Sequence, residues 1–152
     1  MQIDKSQLNV SLFNQVIADI QADDGETFLM NEFLIDGKQF IQTGCGAPGC
    51  LAGWALMAAF KDATIEDREA LVPKNWVTVA ADLIGIPPSS RIDSSDAVNA
   101  LFYMRGSRMA MKEFDEELSA TQRKRAAIEV LTHLRDTGFI DWDRALTMTL
   151  EC

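Results

Sequence analysis

The sequence predicts a mainly α-helical protein: a compact bundle of about six helices around a buried central helix, with one short β-hairpin. Two observations predict the helices. Apolar residues recur three and four positions apart in most segments, and Gly85 and Gly138 each follow such a segment, where helices commonly end. A third observation locates the core, because the segment 51–60 is apolar on almost every side and is therefore expected to be buried.

Length, composition and charge restrict the class of protein. The chain has 152 residues, of which 47% are hydrophobic and 24% charged, and no repetitive or linker-like stretch divides it, so we predict one domain over residues 1–152. The formal net charge of -9 argues against direct nucleic-acid binding and favours a protein partner with a basic surface. The sequence leaves homo-oligomerisation open. No stretch reaches the roughly 18 apolar residues of a membrane span, and the N-terminus does not resemble a secretion signal, so we expect a cytoplasmic protein.

The first two predicted elements are a helix and a hairpin. The helix ends near Asp23 and Asp24 and has a single apolar face, formed by Leu12, Phe13, Val16, Ile17 and Ile20. Between residues 27 and 43, Asp36-Gly37 separates two apolar runs, and this dipeptide tolerates the positive φ angles of a tight hairpin turn. The β-hairpin is therefore predicted at that position.

Capping signals place the later helices. Asn75 is a predicted N-cap for a helix that Gly85 and the following prolines terminate, and Asp93 or Ser94 is expected to cap the next one. A short fifth element covers 109–118. Two final helices are predicted to begin after Thr121 and Asp141, and the apolar stripe of the first of these consists of Ala127, Ile128, Leu131 and Leu134.

The segment 44–55 combines glycines, two cysteines and the apolar run. Its G-x-G-x-x-G spacing matches a dinucleotide fingerprint, but Pro48 lacks an amide that would hold pyrophosphate and no parallel strands are predicted, so we expect no nucleotide cofactor. Cys45 and Cys50 are spaced to share a metal ion or a reversible disulfide, with His133 as a distant further ligand. Cys50 at a helix start could also form a nucleophilic thiolate with a lowered pKa. A packing role for these residues explains the pattern best, and no cofactor is expected.

The stretch from Cys45 to Ala55 also resembles a group of small, largely uncharacterised bacterial and phage proteins that share a C-G-x-x-x-C-x-A-G-W-A core. The segments 80–86, 100–102 and 137–142 look like later signatures of the same group. Members carry Trp-His shortly before the first cysteine, where this chain has Gln42-Thr43-Gly44, and this departure weakens a metal site. The resemblance implies a compact helical domain of phage or mobile-element origin and no established activity.

Two groups of acidic residues are the candidate partner-binding residues: Asp19, Asp23, Asp24 and Glu26, and Glu113, Asp115, Glu116 and Glu117. Such a surface can occupy the basic groove of another protein. Together with the resemblance, it favours a non-catalytic phage or mobile-element accessory protein that inhibits or modulates a host protein such as a defence nuclease. The alternatives are a metal- or redox-dependent protein centred on Cys45 and Cys50, and a structural phage assembly protein.

Two basic stretches interrupt this acidic chain. Arg105, Arg108 and Lys112 alternate with methionines, which we expect to fill gaps in the core while the cations remain solvated. The run 123–125 opens a helix, where positive charge opposes the helix dipole. Solvent exposure is therefore the predicted state of this run, and anion binding is the alternative.

Overall fold

A computed structural model describes residues 2–24, 28–30, 50–70, 76–87 and 97–151, and helices dominate these ranges. A short 3₁₀ turn over Lys5–Gln7 precedes the first α-helix. The α-helices are α1 (Val10–Ala22), α2 (Leu51–Phe60), α3 (Ile65–Glu69), α4 (Trp76–Ile84), α5 (Ala97–Phe102), α6 (Met111–Glu117), α7 (Ala120–Thr137) and α8 (Trp142–Leu150). The prediction of a mainly α-helical fold is confirmed.

Helix α2 is the central helix. Its residues 51–56 are all buried, and α1 and α4 pack against it along most of its length. Trp54 is 6% exposed and its ring lies 6.2 Å from that of Phe28, which brings a second chain segment into the core. The prediction of a buried central helix is confirmed. The helix is buried because it has no polar face to expose to solvent.

The long helix α7 is the second packing centre of the bundle. All five apolar residues predicted for the first helix are buried in α1, and α1 and α8 both pack on the long helix α7. The side chain of Asp141 accepts a hydrogen bond from the Arg144 N–H at 2.9 Å, as expected for the N-cap of α8. Gly138 ends α7 with a φ of 78°, a left-handed conformation that glycine adopts without steric cost.

Helix α7 begins two residues earlier than its sequence pattern predicts. Ser119, and not Thr121, is the N-cap, because its hydroxyl accepts the Gln122 N–H at 3.1 Å while the Gln122 side chain accepts the Ser119 N–H at 2.9 Å. This reciprocal pair is a capping box and satisfies two backbone donors at once, whereas Thr121 alone offers one acceptor. The start at Thr121 was therefore a wrong prediction.

Residues 2–9 lie across the carboxyl ends of two helices. At the end of α7, the Lys5 Nζ donates a hydrogen bond to the Asp136 carbonyl at 2.9 Å, and the Ile3 N–H donates to the Gly138 carbonyl at 2.8 Å. The last carbonyls of a helix have no partner within it. The N-terminal segment supplies those partners and so closes this end of the bundle.

The same segment closes the end of α4. The Asn9 N–H donates to the Ile84 carbonyl at 2.9 Å, and the Asn9 side chain in turn caps the first turn of α1. Gly85 follows α4 with a φ of 88°, as its position after the apolar stripe predicts. One segment of eight residues therefore connects the ends of α4 and α7 to the start of α1.

Some predictions concern residues outside the described ranges: the hairpin around Asp36-Gly37 and the helix caps at Asn75, Asp93 and Ser94. Within the described ranges no strand is present, and the one strand-like pairing is an isolated bridge between Gln2 and Phe139. The sequence analysis did not predict α3. This helix has five residues and is capped by the Thr64 hydroxyl, and it is too short for a periodic apolar pattern to reveal it.

Candidate functional site

The candidate site is an acidic surface near the start of α7. Four of the predicted partner-binding residues are exposed, and within the described ranges no hydrogen bond or ion pair engages their side chains: Asp24, Glu113, Glu116 and Glu117. Glu26 lies outside those ranges. The structure therefore presents free carboxylates from both acidic groups that the sequence predicts, and we call these four residues the acidic surface.

The other predicted acidic residues are engaged within the protein. Asp115 is half-buried, and its Oδ1 accepts a hydrogen bond from the Met30 N–H at 2.7 Å. Asp19 accepts one from the Gln15 side chain on the preceding turn of α1, at 2.8 Å. Asp115 thus holds the segment 28–30 against α6, which is a structural role that its position in an acidic run does not reveal.

Arg123 is buried, so the predicted solvent exposure of the run 123–125 is wrong for its first residue. It is 8% exposed, its Nε donates to the Phe28 carbonyl at 2.6 Å, and its Nη1 donates to the Leu118 carbonyl at 2.6 Å and the Asp115 carbonyl at 3.2 Å. Two of these carbonyls belong to the carboxyl end of α6, which has no partners of its own. Arg123 therefore ties α6 and the segment at 28 to α7 through buried hydrogen bonds.

The position of Arg123 in the sequence pattern of α7 indicates that it is buried. Arg123 precedes Ala126, Ala127 and Val130 by three, four and seven positions, and these residues are buried along one face of α7. A cation at that spacing lies on the buried face of the helix and not on its solvated side. The spacing indicates burial, but it does not identify the three carbonyls. That of Phe28 is 95 residues away in the sequence, and those of Asp115 and Leu118 belong to the end of the preceding helix.

Lys124 and Arg123 bring residues of the two acidic groups close together in the fold. The Lys124 Nζ lies 2.9 Å from the Asp23 Oδ2 and donates to the Asp23 carbonyl at 2.7 Å. The neighbouring Arg123 binds the Asp115 carbonyl, so the end of α1 and the end of α6 both meet the first turns of α7. The two acidic runs are far apart in the sequence and adjacent in the fold.

Cys50 is a buried thiol at the N-cap position of α2, and it is 9% exposed. Burial raises the pKa of the Cys50 thiol, and the charge of Asp115 acts in the same direction, against the lowering effect of the backbone N–H groups at the helix start. The hypothesis of a nucleophilic thiolate with a lowered pKa is therefore wrong, because desolvation outweighs the helix dipole.

This raised pKa predicts slow chemistry at Cys50. In a variant carrying Cys45→Ser and Cys152→Ser, iodoacetamide at pH 7.5 is expected to alkylate the folded protein at least ~100-fold more slowly than the urea-unfolded chain. A neutral buried thiol stabilises the fold below the unfolded thiol pKa of about 8.5, and this contribution is lost as pH rises through the folded value. Rapid alkylation of the folded protein at neutral pH would contradict the burial.

His133 lies on α7 and packs against the ring of Phe139 at a centroid distance of 6.4 Å. Cys45 lies outside the described ranges. Within them, no group of three or more His, Cys, Asp or Glu residues is placed to hold a metal ion. The described residues therefore give no support to a metal site.

The loop after α5 behaves as its composition predicts. Met104 is 3% exposed, Met109 and Met111 pack partly against the core, and Arg105 and Arg108 are exposed. The methionines thus fill gaps while the cations stay in solvent. This loop adjoins the acidic surface, because Glu113 lines a cleft together with Arg105 and Arg108.

The helices of the described ranges are too short or too polar to cross a bilayer. No protein-family profile, curated protein or solved structure matches this chain.

Proposed function

We propose that the protein is a non-catalytic binding module whose acidic surface docks on a basic surface of another protein. The observation that carries the proposal is the convergence of two acidic runs at the start of α7 with four carboxylates left unpaired within the described ranges. The Arg123 guanidinium donates to the carbonyls of Phe28, Asp115 and Leu118. The four carboxylates carry negative charge at an exposed surface, and negative charge is the property that attracts a cationic partner.

The specific form of the proposal is a cytoplasmic phage or mobile-element accessory protein that inhibits or modulates a host protein, such as a defence nuclease. A nuclease must hold a phosphate backbone in a basic channel, and an array of carboxylates can compete for the same channel. The net charge of -9 favours rapid association with such a channel at low ionic strength. The sequence resemblance to phage proteins supports this form.

Affinity capture tests the proposal. Tagged wild-type protein is incubated with bacterial lysate beside the double variant Glu116→Lys/Glu117→Lys and the control double variant Glu69→Lys/Glu151→Lys, which changes charge equally at exposed positions elsewhere. Lysines at 116 and 117 lie in the last turn of α6, where positive charge suits the helix dipole, so the fold is expected to be retained.

We expect mass spectrometry to show one stoichiometric basic protein on the wild type and the control, and at least ~10-fold less of it on Glu116→Lys/Glu117→Lys. If the captured protein is a nuclease, an equimolar amount of wild type should block its cleavage of DNA. Equal capture by all three proteins, or the absence of a stoichiometric partner, would contradict the proposal.

A further inference from the structure

A cleft of about 440 Å³ lies between the turn at 105–107 and the start of α8, and none of the four residues of the acidic surface lines it. Trp142 and Ile140 line it and are 3% and 5% exposed, and Phe139 contributes a ring that is 36% exposed. A volume of this size is typical of sites for small ligands or single side chains. The cleft therefore offers the exposed ring of Phe139 to a ligand, beside polar and charged groups.

The turn beside the cleft has an unusual backbone. Met104 has a φ of 54° and is the only described residue other than glycine with a positive φ, and Gly106 follows with a φ of 85°. Non-glycine residues are strained in this conformation and keep it where the surrounding structure enforces it, commonly at functional sites. Here the burial of Met104 and a 3.0 Å hydrogen bond from the Ser107 N–H to its carbonyl enforce it. The turn therefore presents Arg105 on a fixed backbone.

Arg105 is the one cation lining this cleft, and within the described residues its guanidinium has no hydrogen bond or ion pair. Two carboxylates line the same cleft without pairing with it. Asp141 Oδ1 accepts the Arg144 N–H, and Asp143 Oδ1 accepts the Arg108 N–H at 2.8 Å and the Ser107 hydroxyl at 3.2 Å. Backbone and hydroxyl donors thus hold both carboxylates, and the guanidinium remains available to an acceptor from outside.

We propose that this cleft binds a monocarboxylate that carries an apolar or aromatic body, with the carboxylate on Arg105 and the body against the exposed ring of Phe139. A guanidinium and a carboxylate form paired hydrogen bonds of favourable geometry. The negative charges of Asp141 and Asp143 in the same cleft oppose any anion, and they oppose a dianion such as phosphate more strongly than a monocarboxylate. The ligand class has two sources, a free aryl or alkyl acid and the carboxyl-terminal residue of a peptide. The proposal is independent of the acidic surface.

Backbone amide shifts in two-dimensional NMR spectra test the proposal. The probes are 3-phenylpropionate, N-acetylphenylalanine, N-acetylphenylalanine amide and inorganic phosphate, each titrated to 10 mM, since fragments of this size bind with dissociation constants on the order of 1 mM. The variant Arg105→Gln removes the cation. The control Arg108→Gln removes the neighbouring cation, which lines only the adjoining cleft and donates to the Thr147 hydroxyl.

We expect saturable shifts at residues 105–108 and 139–143 with at least one of the two carboxylic acids and none with the amide or phosphate. Arg105→Gln should weaken this binding at least ~10-fold while its melting temperature stays unchanged, and Arg108→Gln should bind as wild type. Shifts with both acids indicate a free acid, whereas shifts with N-acetylphenylalanine alone indicate a peptide terminus. Absence of shifts with both acids, equal shifts with the amide, or undiminished binding by Arg105→Gln would overturn the proposal.

Discussion

Replacing Gly85 with alanine is expected to lower the free energy of unfolding by about 2–5 kcal/mol, and replacing Gly138 should cost a similar amount. Both glycines have left-handed backbones, with φ angles of 88° and 78°. A β-carbon at Gly85 would lie 2.1 Å from the Gln7 carbonyl oxygen, and one at Gly138 would lie 2.4 Å from the Ile3 carbonyl oxygen. The added atom would therefore meet the backbone of the N-terminal segment, which cannot turn away as a flexible side chain can.

Gly106 provides the matched control for these two substitutions. Its φ of 85° is the same, but no atom lies within 4 Å of a β-carbon built there. Gly106→Ala should therefore cost only the conformational strain, about 1 kcal/mol. Urea denaturation followed by circular dichroism measures all three differences. Equal costs at the three positions would show that the N-terminal segment does not press against Gly85 and Gly138.

The second large effect is expected at Arg123. Arg123→Met keeps the apolar length of the side chain and removes its hydrogen bonds to the carbonyls of Phe28, Asp115 and Leu118, which lose these donors. Hydrogen bonds from a charged group contribute more than neutral ones, and a buried acceptor without a partner is costly. We expect the free energy of unfolding to fall by about 3–5 kcal/mol.

Lys124→Met separates this effect from the loss of a positive charge. Lys124 is the next residue and pairs with Asp23 at 2.9 Å, but both side chains retain some solvent contact. Its replacement should cost about 1 kcal/mol. Denaturation curves of the two variants at equal ionic strength give the comparison. A loss at Arg123→Met no larger than that at Lys124→Met would mean that the buried carbonyls do not depend on the guanidinium.

The parts of the fold that local chemistry determines are predictable from the sequence. The apolar stripe of α1, the continuous apolar run of α2 and the glycine ends of α4 and α7 all depend on residues within a few positions of one another. The start of α7 was misplaced because two candidate caps lie two residues apart, and only Ser119 has a glutamine three positions later that completes the capping box.

The candidate site could be predicted only in part. Composition identifies the acidic residues, but it does not place the end of α1 beside the end of α6. Arg123 binds Asp115 only eight residues away, whereas Lys124 binds Asp23 across 101 residues of the chain. The pKa of Cys50 also depends on contacts that the sequence pattern does not reveal. Position at a helix start predicts a lower pKa, whereas burial among distant segments raises it, and burial depends on the whole fold.

The central claim is that the acidic surface is the binding surface, and the affinity of the captured partner tests it most directly. Isothermal titration should give a dissociation constant for Glu116→Lys/Glu117→Lys at least ~10-fold weaker than for wild type, a difference of about 1.4 kcal/mol. The constant for Glu69→Lys/Glu151→Lys should stay within about twofold of wild type, and raising the salt concentration should weaken wild-type binding. Equal affinities for the two double variants, with no dependence on salt, would contradict the account.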